Sequence, residues 1–110
     1  MRCIVSLKKD RYPPLLELYI HGAPHRRQHV AVLQAYRDSL VKAATEANID
    51  FPIKDPLDLS VLFINPTSPD LDNLLAALYR ALDAKSLRKV SLLKDDGLIQ
   101  KATIAKFYPE

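Results

Sequence analysis

Apolar residues recur at helical spacing in two stretches of the chain. In the first, from His29 to about Asn48, they are three, four and seven residues apart with charged residues between them (Leu33, Leu40, Val41 and Ala44). The second, from Asp70 to about Asp83, has leucines on one face of the predicted helix (Leu71, Leu74, Leu75, Leu78 and Leu82). This spacing predicts two amphipathic helices, each with one face in the core.

Four other segments have the β-branched content or the alternation that is typical of strands, at residues 3–7, 57–64, 90–93 and 99–107. Pro13-Pro14 ends the first strand, and we expect an irregular segment from there through Gly22-Ala23-Pro24. The element order β, α, β, α, β, β predicts an α+β fold, with a mixed β-sheet packed against two helices. The length suits a single small domain that spans residues 1–110.

Composition excludes several classes of protein. The chain has 110 residues, of which 48% are hydrophobic and 26% are charged, as in globular proteins. Its single cysteine, Cys3, excludes an internal disulfide framework, and two glycines are too few for a glycine-rich phosphate loop. Because no apolar run reaches the length of a membrane span and no signal-peptide pattern is present, we expect a cytoplasmic protein with no membrane partner.

The net charge of +3 conceals an uneven distribution. Residues 1–44 carry eight bases and three acids, residues 45–79 carry one base and six acids, and residues 80–110 carry seven bases and four acids. An acidic middle between basic ends suits a metal-dependent nuclease, because bases bind phosphates and carboxylates bind divalent cations. The same charges also suit an ordinary solvated surface.

Asp70 and Asp72 form the first acidic pair, at the start of the second predicted helix. Aspartate is a favoured N-cap residue and complements the helix dipole, which explains the pair without any chemistry. Residues two apart on a regular helix point about 200° apart, because each residue turns the chain by about 100°. The two carboxylates therefore converge only if Asp70 lies at or before the N-cap, a position that the preceding Pro69 favours.

Asp95 and Asp96 form the second acidic pair, directly before Gly97. Asp-Gly between apolar runs is a strong hairpin signal, so this pair also has a structural interpretation. However, a turn requires only one aspartate, and the sheet could bring the pair close to the start of the second helix. Three converging carboxylates are enough to hold Mg²⁺ with several waters.

Together the two acidic motifs resemble the signature of the RusA-type Holliday junction resolvases. The resemblance is carried by Pro69-Asp70-Leu71-Asp72-Asn73-Leu74 followed by Leu93-Lys94-Asp95-Asp96. Other stretches agree with the family, and they are Tyr12-Pro13-Pro14 with Tyr19, His29-Val30, Gln34-Ala35-Tyr36-Arg37-Asp38, and Lys106 in the last strand. The likeness covers nearly the whole chain.

The resemblance implies a bacterial or phage-encoded, homodimeric endonuclease that resolves four-way DNA junctions by symmetric paired nicks. It implies Mg²⁺ as the cofactor, with Mn²⁺ as a substitute. Asp70, Asp72 and Asp96 would be catalytic and would bind the metal, with Asp95 as a further ligand. Apolar residues within 15–20 are candidates for the dimer interface, or for packing on the core. Basic residues are expected to bind DNA, and they are Lys8, Lys9, Arg11, Arg26, Arg27, Arg80, Lys94 and Lys106.

The sequence departs from the family at position 76, where the usual lysine is replaced by Ala76. Arg80, one turn later on the same helix face, and Lys94 are candidate substitutes for that cation. Since the acids alone do not select a substrate, two other functions stay open. One is a catalytically weakened junction- or DNA-binding protein of the same fold, and the other is a metal-dependent nuclease that acts on RNA or flap DNA.

Overall fold

Four strands, two α-helices and one short 3-10 helix make up the regular structure of residues 1–24, 29–67, 70–83 and 91–109, the parts of the chain that a computed structural model describes. In chain order these elements are β1 (Arg2–Lys8), β2 (Leu15–His21), α1 (Val30–Glu46), β3 (Leu57–Ile64), α2 (Leu71–Leu82), the 3-10 helix (Asp96–Leu98) and β4 (Ile99–Phe107). The predicted α+β fold, a single small domain with a mixed sheet and two helices, is confirmed.

The four strands form one mixed sheet in the order β1-β2-β3-β4. β1 and β2 are antiparallel, whereas β2 pairs in parallel with β3, and β3 in parallel with β4. Leu57 lies opposite Ile99, and Ile64 lies opposite Phe107. The starts of β2, β3 and β4 therefore share one end of the sheet with the end of β1, and we call this the lower end.

The core lies between the helices and one face of the sheet. Alternate residues of β2 and β3 are buried there, and they are Leu16, Leu18, Ile20, Leu57, Leu59, Val61 and Phe63. The helices pack against each other, α1 contacts β1, and α2 contacts β4. Neither of the described helices covers the opposite face of the sheet, and the neighbouring Ile4 and Tyr19 on it are 47% and 40% exposed.

β2 is the strand that the sequence analysis missed, since it predicts an irregular segment there. Residues 15–21 alternate between buried and more exposed positions, which is the two-residue period of a strand. The two prolines obscured this signal, although Pro14 precedes the strand and its carbonyl accepts a hydrogen bond from the Asp58 backbone N–H (2.9 Å). Leu16, Leu18 and Ile20 are 0–1% exposed, so of the two predicted roles packing on the core is confirmed for them, and a role in a dimer interface is wrong.

The predicted hairpin around Asp95-Asp96-Gly97 is also wrong. Asp95 caps the 3-10 helix instead, accepting a hydrogen bond on Oδ1 from the Gly97 backbone N–H (2.9 Å). Of the predicted strand 90–93, Val90 lies outside the described residues, and Leu93 makes only isolated bridges to Ile53 and Asp83. β4 consequently pairs with β3 in parallel and not with the segment before it.

Leu18→Ala tests the assignment of residues 15–21 to a core strand. Because Leu18 is buried among the helices and β3, the substitution should lower the free energy of unfolding by about 2–5 kcal/mol. Tyr19→Ala, on the opposite face of the sheet, should cost about 1 kcal/mol or less. Urea denaturation of both variants measures the difference, and equal losses would contradict the inward orientation of Leu18.

Candidate functional site

A buried arginine fixes the end of α2. Arg37 on α1 is 0% exposed and donates hydrogen bonds to backbone carbonyls at the C-terminus of α2, from Nε to Ala81 (3.2 Å) and from Nη2 to Arg80 (2.8 Å) and to Asp83. Such carbonyls lack intrahelical partners and carry the negative end of the helix dipole. Burial lowers the pKa of the Arg37 guanidinium, while the nearby Asp83 favours its charged form.

Asp83, Asp95 and Asp96 come together at this end of α2. Asp83 is the C-cap residue of α2, and ligand oxygens of the three carboxylates all lie within 4.8 Å of one another. Asp83 is 8% exposed, whereas Asp95 and Asp96 are half-buried. The segment before Asp95 is held in place by Leu93, whose backbone N–H donates to the Leu82 carbonyl (3.0 Å). We call these three residues the acidic cluster.

The donor set of the acidic cluster fits a hard divalent cation. Mg²⁺ prefers oxygen ligands and retains several waters, and half-buried Asp95 and Asp96 leave access for them. Tyr79, one turn before Asp83, borders the cluster. Burial raises the pKa of Tyr79, and the Asp96 carboxylate raises it further. The phenol therefore remains a neutral hydrogen-bonding group beside the three acids.

Asp70 and Asp72 lie at the other end of α2. Asp70 is the N-cap, as convergence with Asp72 requires. Its Oδ1 accepts from the Asp72 backbone N–H (3.0 Å) and its Oδ2 from the Asn73 side-chain amide (3.0 Å), so the predicted capping role is confirmed. Asp70 and Asp83 flank a 12-residue helix, which separates them by about 20 Å at 1.5 Å per residue. Within one chain, Asp95 and Asp96 therefore lie close to Asp83 and not to Asp70 and Asp72.

Asp83 is the residue of the acidic cluster that the sequence analysis missed. One signal for it was present, because an acid at a helix C-terminus faces the negative end of the dipole and is unfavourable unless something compensates it. Asp83 lies close to Asp95 and Asp96 because Leu93, just before them, forms β-bridges with both Asp83 and Ile53. No local pattern in the sequence predicts those bridges.

The predicted DNA-binding residues are distributed over both ends of the sheet. Lys8 and Arg11 form ion pairs with Glu17 and Asp58 respectively, each at 2.7 Å. Lys9 is exposed at the lower end, and Arg80 and Lys94 are exposed near the acidic cluster, at the same end of the sheet. Lys106 is exposed near the end of β4. Arg26 and Arg27 lie outside the described residues. Most of the described basic residues therefore lie at the lower end of the sheet, which also carries the acidic cluster.

Comparisons of this chain with protein-family models, with curated proteins and with solved structures found no match. Neither α1 nor α2 combines the length and apolarity of a bilayer-crossing helix, within the part of the chain that the structure describes.

Arg37→Met should detach the end of α2. The substitution keeps the apolar stem but leaves three carbonyls without their donor, so we expect a loss of about 3 kcal/mol in the free energy of unfolding. Arg37→Lys should recover little, because one ammonium cannot match the planar guanidinium. Lys42→Met, on the exposed side of α1, is the matched control and should change stability by about 0.5 kcal/mol or less. Chemical denaturation of the three variants checks this, and a small effect of Arg37→Met would contradict the anchoring role.

Cys3 should behave as an unreactive thiol. Burial raises the pKa of its thiol to about 11, so the native protein holds little thiolate near neutral pH. At about pH 8 we expect an aromatic disulfide reagent to modify native Cys3 on the order of 100-fold more slowly than the urea-unfolded chain. The native rate should rise steadily as the pH approaches the raised pKa. Equal rates in the two states would show that Cys3 is accessible and ionised.

Proposed function

We propose that this protein is a Mg²⁺-dependent endonuclease that nicks branched DNA, with four-way junctions as its substrate. The observation that carries the proposal is the acidic cluster, with three carboxylates whose ligand oxygens lie within 4.8 Å. Exposed Lys94 and Arg80 beside the cluster suit a phosphate backbone. The choice of a four-way junction rests on the resemblance of the acidic motifs to the RusA-type resolvases.

In this proposal Asp83, Asp95 and Asp96 hold the cation, which supplies activation of a water and neutralisation of the scissile phosphate when it is bound. Lys94 directly precedes the two half-buried acids and offers a cation to a phosphate oxygen. Tyr79 borders the same place and offers a protonated phenol as a hydrogen-bond donor, since burial and the Asp96 carboxylate raise its pKa. Arg37 acts as a positioning residue, because it holds the turn that carries Asp83.

The exposed edge of β4 supports a homodimer. Among the described residues β4 has a strand neighbour on one side only, and seven of its nine residues are exposed. An exposed strand of this length is a template for pairing with another chain. Antiparallel pairing of two β4 strands centred on Thr103 sets Lys101 opposite the partner's Ala105, and Gln100 opposite the partner's Lys106. No two like charges then face each other directly, which favours this register.

A dimer of this kind accounts for the separation of the acidic motifs. In antiparallel pairing the start of each β4 lies beside the end of the other. Asp96 precedes β4, and Asp70 follows the C-terminal end of β3, at the opposite end of the sheet. The two-fold axis therefore brings the partner's Asp70 and the partner's Asp72 to the end that carries the acidic cluster. Two such sites, related by that axis, suit paired nicks.

A second candidate function is that of a junction-binding protein with weak catalysis. Ala76 favours it, because no basic side chain stands one turn after Asp72 on α2. Both carboxylate oxygens of Asp70 also accept capping hydrogen bonds, which reduces their availability as metal ligands.

Cation-dependent nicking distinguishes these functions. With Mg²⁺, the native protein should cut a synthetic four-way junction at least tenfold faster than linear duplex, flap DNA or RNA of matched sequence. Asp96→Asn should slow nicking at least 100-fold, because it removes a cluster ligand, while junction binding persists. Asp38→Asn, which removes an exposed acid from α1, is the control. Junction binding without nicking would support the second candidate, and preference for flap DNA or RNA would overturn the substrate.

Mixed dimers test whether the two acidic motifs cooperate across the two-fold axis. When Asp70→Asn and Asp96→Asn chains are mixed, each mixed dimer has one site with both substitutions and one site with neither. Since half of the dimers are mixed, nicking should recover to roughly a quarter of the native rate. Mixing Asp83→Asn with Asp96→Asn chains should recover nothing, because both residues belong to the same chain's acidic cluster.

The outcome separates three arrangements. Recovery in the first mixture alone supports the paired site. Absence of recovery in both, with dimers present by light scattering, would show that each chain acts with its own acids. A monomer at micromolar concentration, with and without DNA, would overturn the β4 pairing.

A further inference from the structure

A groove of about 450 Å³ opens at the lower end of the sheet, between the end of β1 and the segment that leads into β3. Apolar side chains form part of its lining, among them Leu7, Pro14 and Ile53. Its volume falls in the range of small-ligand sites and exceeds what a single ion requires. The function proposed above does not use this groove.

Four charged residues line the same groove and determine which ligand it suits. Lys9 and Lys54 are basic, and Asp50 and Asp55 are acidic, so the lining has no net charge. Their side chains make no ion pair or hydrogen bond within the described ranges of the chain. The groove therefore offers donors and acceptors side by side over an apolar surface.

A nucleobase matches this combination better than a phosphate or an aliphatic ligand does. Phosphate would meet two carboxylates, and an aliphatic ligand would desolvate four charges without pairing them. A nucleobase has a flat apolar face together with amino donors and carbonyl or ring-nitrogen acceptors along one edge. Lysines can donate to those acceptors, carboxylates can accept from the amino groups, and the faces can pack on Ile53 and Pro14.

The groove lies close to the acidic cluster. Ile53 bridges to Leu93, Leu93 bridges to Asp83, and the Lys94 backbone N–H donates to the Ile53 carbonyl (3.0 Å). Two strand spacings thus separate Ile53 from Asp83, a distance of about 10 Å. Neighbouring nucleotides of one strand can therefore occupy the groove and the acidic cluster together, with Lys94 between them.

We infer that this groove binds an unstacked nucleobase of the DNA strand that is cut. The inference rests on the proposed function for the position of the scissile phosphate. Extruding a base from a duplex requires unstacking and unpairing, which cost least where the base is already unpaired. Base capture gives the protein a way to select where along a junction arm the strand enters the acidic cluster.

The test separates base binding from cleavage. Isotope-labelled protein is titrated with the four deoxynucleoside 5′-monophosphates and, separately, with deoxyribose 5-phosphate, while backbone amide signals are followed by NMR. We expect the nucleotides to shift the signals of Leu7, Ile53 and Lys54, and the base-free sugar phosphate to leave them unchanged. Lys54→Ala combined with Asp55→Ala should weaken the response at least fivefold. Lys42→Ala, in a separate groove beside α1, should not weaken it.

Single-turnover nicking gives the second measurement. A junction with an abasic residue next to the scissile phosphate should be nicked about tenfold more slowly than the intact junction. The Lys54→Ala, Asp55→Ala variant should show nearly equal rates on the two junctions.

Each combination of results is decisive. Nicking of junctions with no nucleotide response at the groove would overturn this inference and leave the endonuclease proposal intact. A groove response without nicking would retain the base site and overturn the endonuclease. A response to deoxyribose 5-phosphate as strong as that to the nucleotides would show a phosphate site, and would overturn base binding.

Discussion

The buried guanidinium of Arg37 is the interaction on which the candidate site depends. Burying a charge costs several kcal/mol unless hydrogen bonds compensate it. Here the compensation comes from three carbonyls at the C-terminus of α2, which carry the negative end of the helix dipole and lack intrahelical partners. The contact joins α1 to α2 at the residue where α2 ends. The position of Arg37 on α1 is therefore coupled to the position of Asp83.

This anchoring makes an unfavourable arrangement of charges tolerable. An acid at a helix C-terminus is repelled by the dipole, and Asp83 also has Asp95 and Asp96 within 4.8 Å. The positive charge of Arg37 offsets part of that repulsion, since Asp83 lies close enough to favour the charged form of the Arg37 guanidinium. A divalent cation at the same oxygens would offset more of it.

Periodicity predicted the elements whose burial is decided locally. α1, α2, β3 and β4 appear within two residues of their predicted bounds, because leucine spacing in the helices and alternation in β3 reflect which face meets the core. β2 escaped prediction because two prolines obscured its alternation. The sequence did not predict the acidic cluster, for a different reason. Capping explains Asp70 locally, whereas the meeting of Asp83 with Asp96 is set by isolated bridges between distant segments.

Parallel pairing of β3 with β4 has a further consequence for the acidic motifs. In a parallel pair the chain leaves one strand at the end opposite to that where it enters the next, and α2 spans that distance. Asp72 and Asp96 are thus separated along the sequence by the length of a crossover and not by that of a hairpin. In the proposed dimer, a second copy related by a two-fold axis would reverse the sheet and set the partner's first acidic motif at the end that carries the acidic cluster. In the proposed dimer, the need for two chains and the pairing of the cuts follow from the same crossover.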